Sequence, residues 1–291
     1  MTDCLHSVIM ISTSPMTHVL VTGCSSGIGL LTALRFARTG HRVTATMRRP
    51  ARAPAELTEP IAREGLPVRL AQLDVCDGAS VAIAIADAGD VDVLVNNAGI
   101  ELRSSIEDAT DDDVRRQFDT NVFGTLAMLR AVLPGMRDRR RGTIVNVSSV
   151  AGLVARPYGG LYSATKHAIE AITESLHFEV KPVGVRVVLV EPGQYDTQLV
   201  TNAFNGSGFT PASPYWEASA RLDARLTRLV PEGRRGDPQE VADVIVDAVN
   251  DPTPRLRYLA GQDATMIVGA HRQMAFEQYE ALMRQSLDWH D

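Results

Sequence analysis

"HVLVTGCSSGIGLLTALRFARTG", residues 18–40, joins two periodicities across one glycine-rich turn. Residues 18–23 are a short run of β-branched and aliphatic side chains ending in Gly23, the pattern of a buried strand. Residues 28–40 switch to helical period and stop at Gly40. Between them, "TGCSSGIG" (22–29) spaces its glycines as G-x-x-x-G-x-G. Gly23 permits a sharp turn, Gly27 lets backbone approach a pyrophosphate, and Gly29 lets the helix lie close on the strand. The free N–H groups of the helix start then face an anion. Strand, glycine turn and helix in this order predict a dinucleotide site at the first β–α junction, with Ser25, Ser26 and Ile28 beside it.

The alternation continues along the chain. Strand patterns fall at 42–47, 67–75, 91–99, 142–149, 184–193 and 255–261. Helical patterns fall at 55–64, 78–89, 111–139, 161–182 and 238–250. Thr110 or Asp111 is a candidate cap for the long helix, whose first turn is acidic, as the helix dipole favours. Strands that read as continuous apolar runs and alternate with helices predict an α/β fold: a Rossmann-type, doubly wound parallel sheet of about seven strands, helices on both faces, in one domain. The expected organisation is a disordered extension over 1–16, a domain over 17–262 containing a substrate lid at 194–235, and a helical tail over 263–291. Met16, immediately before the first strand, is a candidate alternative start.

Composition excludes several classes. The chain has 291 residues, 45% of them hydrophobic, enough for a full core. A net charge of −6 does not suggest a nucleic-acid partner. The 3 cysteines (Cys4, Cys24, Cys76) lack metal or disulfide spacing, which argues against zinc and fits a reducing cytoplasm. No apolar run is long enough to span a membrane, and the first residues lack the basic segment of a signal peptide.

Two further stretches carry chemistry. The second strand ends in Met47-Arg48-Arg49, where an acid would hydrogen-bond the ribose hydroxyls of NAD. An arginine there can pair with a 2′-phosphate, so NADP is expected, through Arg48 first and Arg49 second, with NAD as the alternative. The helix at 161–182 opens with Tyr162 and sets Lys166 four residues on, although the chain has only two lysines. That spacing puts a phenol and an ammonium on one helix face. A nearby positive charge favours the phenolate, which a free tyrosine of pKa about 10 forms too reluctantly at neutral pH.

"TGCSSGIG", "NNAG" (96–99), the Asn121 of "TNVFG", "SS" (148–149), "YSATK" (162–166) and "PG" (192–193) occur in one order and spacing. In this the chain resembles the short-chain dehydrogenase/reductase family from about His18 to Gly193, and more weakly to about Gly261. The resemblance implies a catalytic set of Asn121, Ser149, Tyr162 and Lys166. In it Tyr162 is general acid for carbonyl reduction or base for alcohol oxidation, and Lys166 also holds the nicotinamide ribose. Ser149, chosen over Ser148 by the family spacing, orients the substrate oxygen. Asn121 marks a kink and, through a bound water, a proton route to Lys166.

The same resemblance places Asp74 at the adenine amine and Val75 beside the ring. Asn97, Ala98 and Gly99 border the cofactor ribose, while Asn96 braces the sheet. Pro192, Gly193 and Thr197 lie at the carboxamide, Thr197 being equally a candidate helix cap. It implies an alcohol or carbonyl substrate of small-molecule size. Leu153, Val154, Tyr158, Phe204, Phe209, Tyr215 and Trp216 are candidate apolar walls, or else anchors of the lid. A homodimer or homotetramer through the two long helices is implied as well. The alternatives are a cofactor-sensing protein of the same fold, or an epimerase or dehydratase that keeps its cofactor bound.

Overall fold

The computed structural model describes residues 17–201, 203–230 and 235–289. The expected N-terminal extension, 1–16, with the candidate start Met16, lies outside the described residues.

Strand β1 (His18–Val21) is buried along its whole length, as a strand covered on both faces must be. Val19 and Val21 enter one hydrophobic layer and Leu20 the other, because successive side chains leave a strand on opposite faces. After it come α1 (Gly27–Arg38), β2 (Arg42–Met47), α2 (Ala55–Glu64), β3 (Val68–Gln72), α3 (Gly78–Ala88) and β4 (Val93–Asn96). A two-residue strand, β5 (Leu102–Arg103), precedes α4 (Asp111–Phe118) and α5 (Gly124–Asp138). Then β6 (Gly142–Val147), α6 (Gly160–Val180) and β7 (Val185–Pro192) repeat the unit. The C-terminal part holds α7 (Gln198–Thr201), β8 (Phe204–Asn205), α8 (Trp216–Leu226), α9 (Pro238–Asn250), β9 (Arg257–Ala260), α10 (Gln262–Gln273) and α11 (Phe276–Leu287).

Seven strands form one parallel sheet in the order β3-β2-β1-β4-β6-β7-β9, the doubly wound α/β fold expected. The order reverses between β1 and β4, so the loops leaving their C-terminal ends diverge and open a crevice. Helices α1 and α9 close one face and α3, α5 and α6 the other.

Three local differences from the sequence expectation position the site. The helix read over 111–139 is two helices joined by a π-helical turn, Asp119–Phe123, which contains Asn121. Of its two candidate caps the structure uses Thr110, in a capping box: its hydroxyl accepts from Asp113 N while the Asp113 carboxylate returns the bond, worth about 1 kcal/mol. Strands β3 and β4 stop short of their expected ends. Asp74, Val75 and Asn97–Gly99 therefore lie on loops, with Asn97 N and Ala98 N donating to Thr22 Oγ1 at 3.0 Å each. Finally, β5 pairs with β8 in a separate parallel ribbon that ties the stretch after β7 to the body, Phe204 N donating to Glu101 O at 3.0 Å. Two-residue strands leave no periodicity to read.

Candidate active site

The glycine turn is built as its spacing requires. Gly23 (φ +74°) and Gly27 (φ +55°) both have left-handed backbone, which side-chain-bearing residues avoid. A Cβ at Gly29 would stand 2.3 Å from Asn97 Nδ2 and 2.5 Å from Gly23 O, so α1 can approach β1 only with glycine there. Asn97 Nδ2 donates to Thr22 O at 2.9 Å and Gly23 O at 3.3 Å, fixing the turn from the neighbouring strand. Helix α1 starts at Gly27, and Ser25, Ser26, Gly27 and Ile28 face a cavity of about 940 Å³. Free N–H groups at that helix start suit a pyrophosphate, so the residues present fit a dinucleotide.

The same cavity collects the other residues expected at a cofactor: Gly23, Arg48, Asp74, Val75, Asn97, Ala98, Gly99, Pro192, Gly193 and Thr197. Arg49, the second choice for a 2′-phosphate, is not part of its wall; it leads into a short turn, Pro50–Arg52. The Asp74 carboxylate accepts from Cys76 N at 3.0 Å, and Asp74 N donates to Ser80 Oγ at 2.9 Å. Val75 packs where Gly124 leaves room, since a Cβ there would meet Val75 Cγ2 at 2.6 Å. Thr197 lies against Gly27, 3.6 Å from where a Cβ would stand. Asn96 donates to Asn146 Oδ1 at 2.9 Å, a sheet brace.

Tyr162, Lys166 and Ser149 converge on that cavity from two elements. Tyr162 and Lys166 sit in the first turns of α6, and Ser149 follows β6. Lys166 Nζ is 5.7 Å from the Tyr162 ring centre and donates to Val147 O at 2.8 Å. Burial brings the ammonium down to about 8, with Glu170 pulling the other way. The phenol does not follow the expectation of an acidified tyrosine. Burial pushes it well above its ordinary value and the Glu101 carboxylate adds to this, while the Ser149 hydroxyl and Arg156 offset part of the rise. Both shifts run toward the neutral form, because desolvation exceeds the opposing contributions of the neighbouring groups. Ser149 Oγ accepts from Ala151 N at 3.1 Å and lies 3.4 Å from Pro192 O.

Asn121 lies behind the cavity, outside its wall. Its side-chain oxygen accepts from Ile100 N at 2.9 Å, and its amide donates to Ile100 O at 3.0 Å and Thr165 Oγ1 at 3.1 Å. The kink implied at this position is the π-helical turn, and Asn121 pins it to the loop after β4 and to α6.

The expected aromatic walls divide. Val154 and Phe204 line the cavity, with the Arg116 guanidinium 4.2 Å over the Phe204 ring. Leu153, Tyr158, Phe209, Tyr215 and Trp216 do not line it. Tyr158 stacks on Phe209 at 6.4 Å, Phe209 meets Trp216 at 5.2 Å, and the Tyr215 hydroxyl donates to Glu107 at 2.6 Å. These hold α8 and the residues before it to the body, and Leu153 packs in a small cluster with α10 and α11.

Several wall residues carried no sequence signal. Phe276, Met283 and Leu287 of α11 and Ile267 of α10 supply much of the apolar lining. Asp263 receives Gln194 N at 2.7 Å, and its carboxylate fills the space that a Cβ on Gly193 would occupy. Glu101, Arg103, Arg156 and Asp223 form a charged wall. Glu101 and Arg103 flank Leu102 at β5, while Arg156 comes from the loop before α6 and Asp223 from α8, so no local pattern links the three stretches. Among the described residues there is no cluster able to hold a metal and no helix long and apolar enough to cross a membrane.

Known proteins resemble the chain throughout this region. It is 42% identical over 188 residues to the 3-ketodihydrosphingosine reductase of Bacteroides thetaiotaomicron, covering 63% of this chain and 66% of that protein. It is 37% identical over 251 residues to human (Homo sapiens) retinol dehydrogenase 8, covering 82% and 79%. A short chain dehydrogenase from Burkholderia cenocepacia solved in complex with NADP superposes with a TM-score of 0.71 at 26% identity, covering 94% of this chain and 97% of that one. Residues 17–207 match the short chain dehydrogenase family. With its parallel sheet, its glycine turn and this match over most of its length, the chain belongs to the short chain dehydrogenase family of oxidoreductases.

Proposed function

We propose that the protein is an NADP(H)-dependent oxidoreductase that interconverts an alcohol and a ketone or aldehyde on a lipophilic substrate, with Tyr162 as general acid/base. The observation that carries this reading is the convergence of Ser149, Tyr162 and Lys166 on the cavity into which the glycine turn opens. The cofactor, when bound, supplies or accepts the hydride. Gly23–Gly29 and Arg48 hold its phosphates, Arg48 standing at the rim with no acid beside it at the end of β2. Asp74, Val75, Asn97, Ala98, Gly99, Pro192, Gly193 and Thr197 line the same cavity and would hold the rest of the cofactor. The NADP complex of the Burkholderia relative supports the choice of cofactor. The sphingoid and retinol names of the relatives, with Ile267, Phe276, Met283 and Leu287 in the cavity wall, support a lipophilic substrate.

In the reducing direction the Tyr162 hydroxyl gives its proton to the substrate oxygen. The Ser149 hydroxyl donates to that oxygen as charge develops. The Lys166 ammonium stabilises the phenolate left behind, and Asn121, held in the π-helical turn, ends the proton route to Lys166. Assembly as a homodimer or homotetramer through α5 and α6 belongs to the same reading, supported by exposed Phe123 and Phe178 on that side of the fold.

Tyr162→Phe removes the proton and little else. Turnover of an alcohol or carbonyl substrate is expected to fall by about 10²–10⁴-fold, while NADPH affinity, read by titration calorimetry, stays within a few-fold of the parent. Turnover at the parental rate in Tyr162→Phe would dismiss the acid/base assignment.

A further inference from the structure

One carboxylate grips the loop that leaves β7. Asp263, the second residue of α10, is 4% exposed and lines the cavity. Its Oδ2 accepts from Gln194 N at 2.7 Å. Burial pushes its carboxyl up, and the N–H groups of Gln194, Ala264 and its own residue hold it back. Two glycines make the space it occupies. A Cβ on Gly193 would overlap both oxygens, and one on Gly261 would stand 2.5 Å from Oδ1. The carboxylate is thus packed between the ends of β7 and β9, which are joined there by Gly193 N donating to Ala260 O at 2.9 Å.

The loop that Asp263 holds spans the site. At its start the Pro192 carbonyl oxygen is 3.4 Å from Ser149 Oγ. At its far end Thr197 lies against Gly27 of the glycine turn. It therefore runs from the reacting groups to the start of α1, and Gly193 and Gln194 belong to the end beside Ser149. The ring that carries the hydride has to lie at that same end. The Gly193–Gln194 peptide is planar and trans, so directing Gln194 N–H at Asp263 also fixes where the Gly193 carbonyl points. Gln194 is braced from two further directions, its O accepting from Gly236 N at 3.0 Å and its Nε2 donating to Leu226 O at 3.1 Å.

We propose that Asp263 is a positioning residue for the nicotinamide end of the cofactor. It acts through the loop: its bond to Gln194 N sets the Gly193–Gln194 peptide beside Ser149. Because Asp263 also opens α10, the same carboxylate holds that peptide in register with the helix that brings Ile267 to the cavity. This rests on the NADP(H) reading above and adds the side chain that shapes its reacting end.

The test uses the full chain and two ligands, NADPH and adenosine 2′,5′-bisphosphate, the part of the cofactor that lacks the nicotinamide. Titration calorimetry gives both affinities for the parent, Asp263→Ala and Asp263→Asn, and circular dichroism reports the fold. In Asp263→Ala, NADPH is expected to bind more weakly by about tenfold or more, the worth of one hydrogen bond to a charged acceptor, while the bisphosphate keeps its parental affinity. Asp263→Asn retains the shape and one acceptor oxygen, so it should lose less. In the unaltered chain, hydrogen exchange over residues 192–197 and the start of α10 should slow with NADPH and not with the bisphosphate, a comparison that needs no variant. A merely structural role would weaken both ligands together. Equal weakening of the two, an NADPH affinity unchanged in the variants that fold, or equal exchange with the two ligands overturns the inference alone. A parent chain that does not bind NADPH overturns the cofactor reading and the inference with it.

Discussion

Tyr162 and Lys166 are one helical turn apart, yet each is driven toward its neutral form, Lys166 to about 8. Nearness of an ammonium does not by itself make a phenol acidic. The ammonium must first be kept charged, and here it is nearly dry and bonded to Val147 O. Glu170 is the neighbour that works to keep it charged. Arg48 presents the opposite case, an exposed guanidinium at the cavity rim with few ties to the body. Its replacement should therefore alter recognition without altering the fold. Arg48→Ala is expected to lower kcat/KM for NADPH by about 10–100-fold, the loss of a charge-assisted hydrogen bond to the 2′-phosphate. Use of NADH should change far less. Steady-state assays with both cofactors decide it, and an unaltered NADPH-to-NADH ratio in the variant removes Arg48 from the cofactor site.

Helix α6 repeats its chemistry every four residues, Tyr162, Lys166 and Glu170, so one face runs from the cavity into the sheet. At its inner end Arg257 of β9 lies 3.2 Å from Glu170 and 3.3 Å from Glu191 of β7. Glu191 is 1% exposed. Burial pushes its carboxyl up to about 8, the Glu170 charge adds to this, and Arg257 and Arg272 pull it down. A raised carboxyl keeps its proton in the fold after the unfolded chain has released its own. The stability Glu191 contributes is thus present below its ordinary 4.5 and lost as pH climbs toward about 8. Glu191→Gln holds the uncharged shape at every pH. Urea midpoints at about pH 5 and pH 8 should fall less between the two conditions in the variant than in the parent; equal falls would clear Glu191 of any part in the pH dependence.

The assembled chain adds what no single helix contains. Residues 203–226 are held by the β5–β8 ribbon, by the Tyr158–Phe209–Trp216 contacts and by the ion pairs of Asp223. Helices α10 and α11 return from the far end of the chain to pack Val268 and Tyr279 against Val154. On the outside, Phe178 of α6 is 71% exposed and Phe123 of the π-helical turn 57%. Covering a phenylalanine is worth about 1.5–3 kcal/mol, and a two-fold interface uses each twice. Phe178→Asp should shift light-scattering mass toward the monomer while the circular dichroism spectrum is retained. A parent chain that is already monomeric would remove the proposed assembly.

Periodicity and glycine spacing sufficed for the strand–turn–helix at 18–40, for the parallel sheet and for the Tyr162–Lys166 face. These depend on neighbours within a few residues, where backbone geometry dictates which side chains share a face. The kink at Asn121 is implied by the family resemblance, and the π-helical turn stands at that position. The tertiary structure alone decided which aromatics face the cavity and which pack on one another beside α8, because both roles ask for the same residue types. It alone brought Glu101, Arg103, Arg156 and Asp223 together and set α11 over the cavity. Their partners lie far away in the chain, and the energy of a buried ion depends on the water that folding removes, which no local pattern records.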